Sequence, residues 1–310
     1  MRSLRLALFL ATIVAVNNCG SEPHSRLKDS DDIIQQWRAF APVCAGYPAK
    51  ANCNDGDMAL FGGLLCAAGE SLGCDLVRDA QSSDGQWWRS PRRNPGNLGE
   101  KNSFSRDMAM GVLLYLQTAQ DTDAAQRWLG WIQNNRPCAV GKIRGHCPVP
   151  GPHRFCRDDG DFRCVLTPAN WALMGRVWDD LGLPRSLEMK AFAESDDLVL
   201  AAQAAHSPSG YALHLISTEV WLKQRLNTSE RARQSAAGTL ITRQPSNLFF
   251  EFLNQGPVPT LRDQLRKICP SVSSSSSARN QWAWERDTSE SAWRDSMGWD
   301  CIFMAKLLAL

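Results

Sequence analysis

Apolar residues recur at three- and four-residue spacing along nearly the whole chain, and alternation of strand length is rare, so the pattern predicts a mainly helical protein. Six segments are dense in apolar and small residues and each follows a polar or turn-like lead: 57–66, 107–116, 168–178, 211–221, 246–253 and 297–308. Six others carry Arg, Gln, Asp and Glu on one face: 31–40, 71–81, 122–135, 187–205, 229–242 and 260–268. Helices apolar all round belong inside a fold, and amphipathic ones belong to a solvated outer layer. Their alternation, at roughly forty to sixty residues, is that of helical hairpins that cannot bury a face alone. The expectation is an all-α, (α/α)6 toroid of six helical hairpins, forming a single domain over 21–310 with disulfide-stapled loops. An open solenoid is the alternative, but six pairs is the number that closes a ring, and the outermost pairs carry no obvious polar caps.

The first twenty residues read as an address. Arg2 and Arg5 precede an apolar run over 6–16, the length of a signal-peptide core and too short to cross a bilayer. Cleavage fits after Ala15 or near Gly20. Cys19 would permit a lipid anchor, but Asn18 stands where a small residue is expected, so the expectation is a secreted or periplasmic protein without one. No later segment has eighteen uninterrupted apolar residues, so no membrane span is expected.

Cysteine usage agrees with export. Of eleven cysteines, ten remain without Cys19, an even number that reads as five disulfides of unknown connectivity. None of the spacings is a CxxC pair, which argues against zinc. Cys138, Cys147, Cys156 and Cys164 fall in a stretch rich in Gly, Pro and Arg, read as a stapled loop. Asn227-Thr228-Ser229 is a glycosylation sequon, meaningful in a eukaryotic secretory setting.

Charge narrows the partners. Without Arg2 and Arg5, 32 basic residues face 32 acidic ones, which gives no support for nucleic acid. The 12 tryptophans against 3 tyrosines are less ordinary. Trp87 and Trp88 stand in the Gly-, Pro- and Arg-rich segment 82–101, and Trp282 and Trp284 in 270–294, where aromatic side chains must cover something.

In a toroid the inner helices run the same way, so their first turns surround one mouth. Acidic residues recur there: Asp55 and Asp57, Asp107, Asp158-Asp159-Gly160-Asp161, and Glu285. The Asp159 and Asp161 cluster lacks the full calcium loop ending in Glu, so no metal is expected, nor any cofactor.

The run Asp55-Gly56-Asp57-Met-Ala-Leu60-Phe-Gly-Gly-Leu64-Leu65-Cys-Ala67 resembles the signature helix of glycoside hydrolase family eight, which lies within an (α/α)6 barrel. Asn52, Cys53 and Asn54 replace that family's lead-in, so the resemblance is to the (α/α)6 glycosidase superfamily. It implies a sugar groove, an oligo- or polysaccharide substrate, and Asp55 or Asp57 near a subsite.

Glycoside hydrolysis needs one carboxyl protonated and one ionised, and inverting enzymes hold a water between them. Asp55 or Asp57 as one partner, with Asp107 or Glu285 as the other, would stand on different helix mouths. A helix N-terminus favours the ionised form, which suits a base, and leaves Glu285 in its Trp-rich setting as the acid. Trp87, Trp88, Trp282 and Trp284 would stack on pyranose rings, and Arg89 and Arg106 would bind hydroxyls or a carboxylate. Asp57 and Asp107 also fit as plain helix caps, and Trp87 and Trp88 as a plug under a loop.

The second enzyme class is a polysaccharide lyase, with Tyr211 and His214 as base and acid and Arg106, Arg89 or His153 neutralising a uronate. A non-catalytic carbohydrate-binding toroid is the third reading. The chain has no Gly-x-Ser-x-Gly elbow, P-loop or GxGxxG turn, which disfavours serine hydrolases and nucleotide enzymes, and no HExxH, which excludes zincins.

Overall fold

The structure is a computed structural model that describes residues 32–39, 41–50, 53, 56–92, 104–157, 164–192, 197–245, 247–269 and 299–310. The signal segment, Asp55, the Asp158–Asp161 cluster, Trp282, Trp284 and Glu285 lie outside the described residues.

The helical class is observed, and the two kinds of helix fall where their apolar patterns put them. After α1 (32–39), a short hairpin of β1 (Val43–Cys44) and β2 (Tyr47–Pro48) turns through Ala45 and Gly46, both at positive φ as a two-residue hairpin requires. Then come α2 (Met58–Ala67), α3 (Ser71–Asp79), α4 (Arg106–Ala119), α5 (Thr122–Asn134), α6 (Pro168–Asp180) and α7 (Leu187–Ala191). The chain continues through α8 (Asp197–His206), α9 (Tyr211–Arg225), α10 (Glu230–Arg243), α11 (Leu248–Gln255), α12 (Pro259–Ile268) and α13 (Trp299–Leu307). The one expected helix that splits is 187–205, which becomes α7 and α8.

All ten residues of α2 are buried, as are nine consecutive residues of α4, Met108 to Leu116. By contrast, α3 buries only Gly73, Leu76 and Val77. One contiguous cluster of buried apolar side chains runs from Ile34 to Leu308. Helix α4 packs against α2, α3, α6 and α9, and α9 in turn against α8, α10 and α11. Rings of Trp221, Phe249 and Phe303 meet edge to face within 6 Å and tie α9, α11 and α13 together.

Glycine sets the closest approach. A Cβ on Gly63 would stand 2.0 Å from the Gly111 carbonyl oxygen, and one on Gly111 would stand 2.1 Å from that of Ala59. Backbones of α2 and α4 therefore touch directly, which brings the two Asp-Met-Ala helix starts side by side.

Helix starts are capped by sequence signals. Thr167 and Asn170 form a reciprocal capping box on α6, with Pro168 in the first turn. Asp121 accepts from the Ala124 amide on α5, and Asn247 from the Phe249 and Phe250 amides on α11.

Five disulfides are present: Cys44–Cys53, Cys66–Cys74, Cys138–Cys147, Cys156–Cys164 and Cys269–Cys301. Four close loops with a separation of 8 or 9 residues, and the fifth spans 32 and fastens α13 to the end of α12. Loop-closure entropy ranks that fifth bridge highest, at nearly 4 kcal/mol against about 2.5 for each short one. No helix among the described residues is long and apolar enough to cross a membrane.

Candidate functional site

Helices α4 and α9 bring a carboxyl and a phenol together. Asp107 sits in the first turn of α4, and the Tyr211 hydroxyl at the start of α9 donates to Asp107 Oδ2 at 3.0 Å. Burial pushes the Asp107 carboxyl above its ordinary value; the Tyr211 bond and the positive charges of Arg106 and Arg89 oppose the rise without cancelling it. Desolvation is the largest of these influences, so the direction favours the protonated form relative to an exposed carboxyl. Tyr211 is raised as well, by burial and then by the neighbouring carboxylate charge and the hydrogen bond it donates.

Asp107 lines a cleft of about 370 Å³. Arg106 and Met110 of α4, the first turn of α6 with Asn170, and the end of α8 with Gln203 and Ser207 form three of its walls. The fourth is α9, through Ala212, Leu215, Ile216 and Glu219. Glu219 accepts a 3.0 Å ion pair from Lys223, one turn on, whose side chain is fully buried. A carboxyl inclined to keep its proton and a carboxylate matched to a cation thus share one cleft. Sequence reasoning missed Glu219, although 211, 212, 215, 216 and 219 describe one helix face that leads to it.

Asp57 ended elsewhere. It adopts φ 65 as the residue before α2 and makes no capping bond with its side chain. Instead Asp57 Oδ1 takes an ion pair from Arg89 at 2.7 Å, and the Lys50 ammonium lies 3.7 Å from Oδ2. Only 3% of Asp57 is exposed. The strap that carries Arg89 also caps α2, its carbonyl accepting from the Ala59 amide at 2.7 Å. Arg89 is the link between the two acids, paired with Asp57 and bearing electrostatically on Asp107 and Tyr211. The expectation of Asp57 as a substrate-facing catalytic acid or base is corrected: its carboxylate is spent on buried cations.

Trp87 is also corrected, from a sugar platform to core. It is fully buried, its ring edge-on to Trp128 at 5.4 Å and near Tyr115, with its indole N–H donated to the Val77 carbonyl. Trp88 is half-buried. Neither lines the cleft.

His214, one turn after Tyr211, is buried between Phe61 and Tyr211, with ring centroids 6.1 and 6.0 Å away. Among the described residues neither of its ring nitrogens has a hydrogen-bond partner, and burial pushes its pKa down to about 3. It stays neutral and outside the cleft. His153 packs on Trp171 and lies 3.6 Å from Glu188, also away from the cleft. Among the described residues no group of three or more His, Cys, Asp or Glu is placed to hold a metal.

No protein-family model matches this chain, and a search of curated proteins finds no match.

Proposed function

We propose that this chain is a glycan-cleaving hydrolase whose site is the cleft between α4, α6, α8 and α9. The observation that carries the reading is the Asp107 carboxyl, biased by burial towards its protonated form in a cleft that it shares with Glu219. In this scheme Asp107 gives its proton to the glycosidic oxygen as the bond from that oxygen to the anomeric carbon breaks. Water attacks that carbon and surrenders a proton to Glu219. Asp107 and Glu219 line the cleft from different helices, and an inverting mechanism would place the attacking water between two such carboxyls. Arg106, Asn170, Gln203 and Ser207 supply donors and acceptors for hydroxyls, and Leu215 and Ile216 an apolar floor.

The (α/α)6 toroid belongs to the same proposal. Six helices with broad buried faces, α2, α4, α6, α9, α11 and α13, alternating with amphipathic partners, support it.

The lyase alternative asks Tyr211 to act as a base at accessible pH. Its raised pKa and its donated bond to Asp107 weigh against that role. The deciding experiment is a polysaccharide panel with the oxidised protein, reading both reducing ends and the ultraviolet absorbance of an unsaturated sugar. Reducing ends without absorbance are expected, lost in Asp107→Asn at unchanged melting temperature and in Glu219→Gln with a lowered one, because that change takes the counter-charge from buried Lys223. Absorbance would select the lyase, and silence across the panel the binding protein.

A further inference from the structure

The connection from α5 to α6 carries a feature the cleft does not use. Residues 136–157 contain four arginines and one lysine and no acidic residue. Within them Cys138–Cys147 closes a finger. Ile143 and His146 exchange backbone hydrogen bonds at 2.9 and 3.0 Å across Arg144 and Gly145, both at positive φ, the geometry of a tight two-residue hairpin. At its base the Ala139 amide donates to Val149 and the Gly151 amide to Pro137. The finger is therefore built to hold its shape while exposed.

Its apolar side chains point to water. Seven large apolar residues are exposed among the described ones, and three of them stand here: Val140 at 64%, Ile143 at 64% and Val149 at 48%. The cations divide into two sets. Arg136 donates to the Gly151 and Pro150 carbonyls, Arg157 pairs with Asp84, and Arg154 is buried. Lys142 and Arg144, exposed on either side of Ile143, are engaged by none of these structural bonds.

We propose that this finger docks reversibly on an anionic phospholipid surface. Aliphatic tips gain only by leaving water, and none of residues 138–150 is a Trp, Tyr or Phe that would stack on a sugar ring. Ile143 flanked directly by two cations matches the membrane boundary, where acyl chains meet negatively charged headgroups. No acid falls within the finger, 138–147, so the finger itself carries no charge that such a surface would repel. The disulfide and turn leave little flexibility to lose on docking, and a single short finger makes the contact weak and salt-sensitive. This inference does not depend on the reaction in the cleft.

Flotation of the oxidised full chain with phosphatidylcholine vesicles, with and without phosphatidylserine, tests it. Binding to the mixed vesicles alone, weakened by salt, is the expected result. Lys142→Gln with Arg144→Gln is expected to weaken binding roughly thirty-fold, from about 1 kcal/mol per cation near the surface. Ile143→Ser is expected to weaken it roughly tenfold or more. Both variants should melt with the wild type, since the altered side chains are exposed. Absence of phosphatidylserine-dependent binding, or an Ile143→Ser chain that binds as wild type, overturns the proposal. So does retention on an immobilised anionic polysaccharide that ignores Ile143→Ser while the vesicles stay empty.

Discussion

Asp57 and Asp107 begin the same tripeptide, Asp-Met-Ala, at the starts of two helices whose backbones touch, yet they do opposite work. Asp57 lies just outside its helix in a left-handed conformation and faces Arg89 and Lys50. Asp107 lies one step inside its helix, faces a phenol, and opens onto a cleft. The comparison teaches that local sequence sets the position of an acid but neighbours decide its charge. Asp57 has a directly paired cation and is a structural anion. The cations near Asp107 oppose the effect of burial only in part.

The hardest test of that contrast is removal of the structural anion. Asp57→Ala should cost about 3–5 kcal/mol, because Arg89 and Lys50 would remain buried without it, and chemical denaturation would read the loss. A cost below about 1 kcal/mol would mean that the pair is not structural. The contact that sets the two helix starts together should fail almost as badly. Gly63→Ala forces a methyl into the Gly111 carbonyl and should cost at least about 1–3 kcal/mol, with a lowered melting temperature.

Asp107→Asn should behave otherwise. It keeps the shape and an acceptor for Tyr211 while abolishing proton donation, so turnover on a cleaved glycan should fall about 100-fold or more with the fold intact. A carboxyl raised in the folded state contributes stability below its ordinary 3.8 that is lost as pH rises through the folded value. The variant's stability relative to wild type should therefore improve as pH rises above 3.8. A gain on acidification instead would reverse the assignment.

The smallest effect concerns His214. Its pKa falls from 6.5 in the unfolded chain to about 3 when folded, so its neutral form contributes stability above 6.5 that drains away as pH drops towards 3. Against wild type, His214→Phe should flatten the acid side of the stability profile within that window. Equal slopes would show that the ring is protonated in the fold.

Much of this architecture is legible in the chain. The apolar density of 57–66 and 107–116 identified helices buried all round, and the structure buries all of α2 and nine consecutive residues of α4. Amphipathic 71–81 became the outer helix α3. The ten cysteines other than Cys19, read as five bridges, do form five. Pairing was not legible, because loop closure constrains separation but not partner choice.

The site was legible in part. Asp107, Arg106 and Tyr211 were singled out; Arg106 and Asp107 line the cleft, and Tyr211 bonds to Asp107 beside it. Asp57 and Trp87 looked like functional groups and are buried structure, because a sequence shows residue type and not what covers it. Glu219 went unnoticed because, within its own helix, a lone acid four residues before a lysine reads as an ordinary surface pair. Only the packing of α9 against α4 and α8 turns that pair to a cleft.

What the sequence determined by itself is the helical class, the division into buried and solvated helices, and the cysteine supply, because periodicity and composition are properties of the chain alone. Which carboxyl burial pushes up, which tryptophan is covered and which acids share a cleft were decided only in three dimensions. Desolvation and ion pairing depend on residues far apart in the chain, Arg89 to Asp57 and Tyr211 to Asp107, and no local pattern encodes those distances.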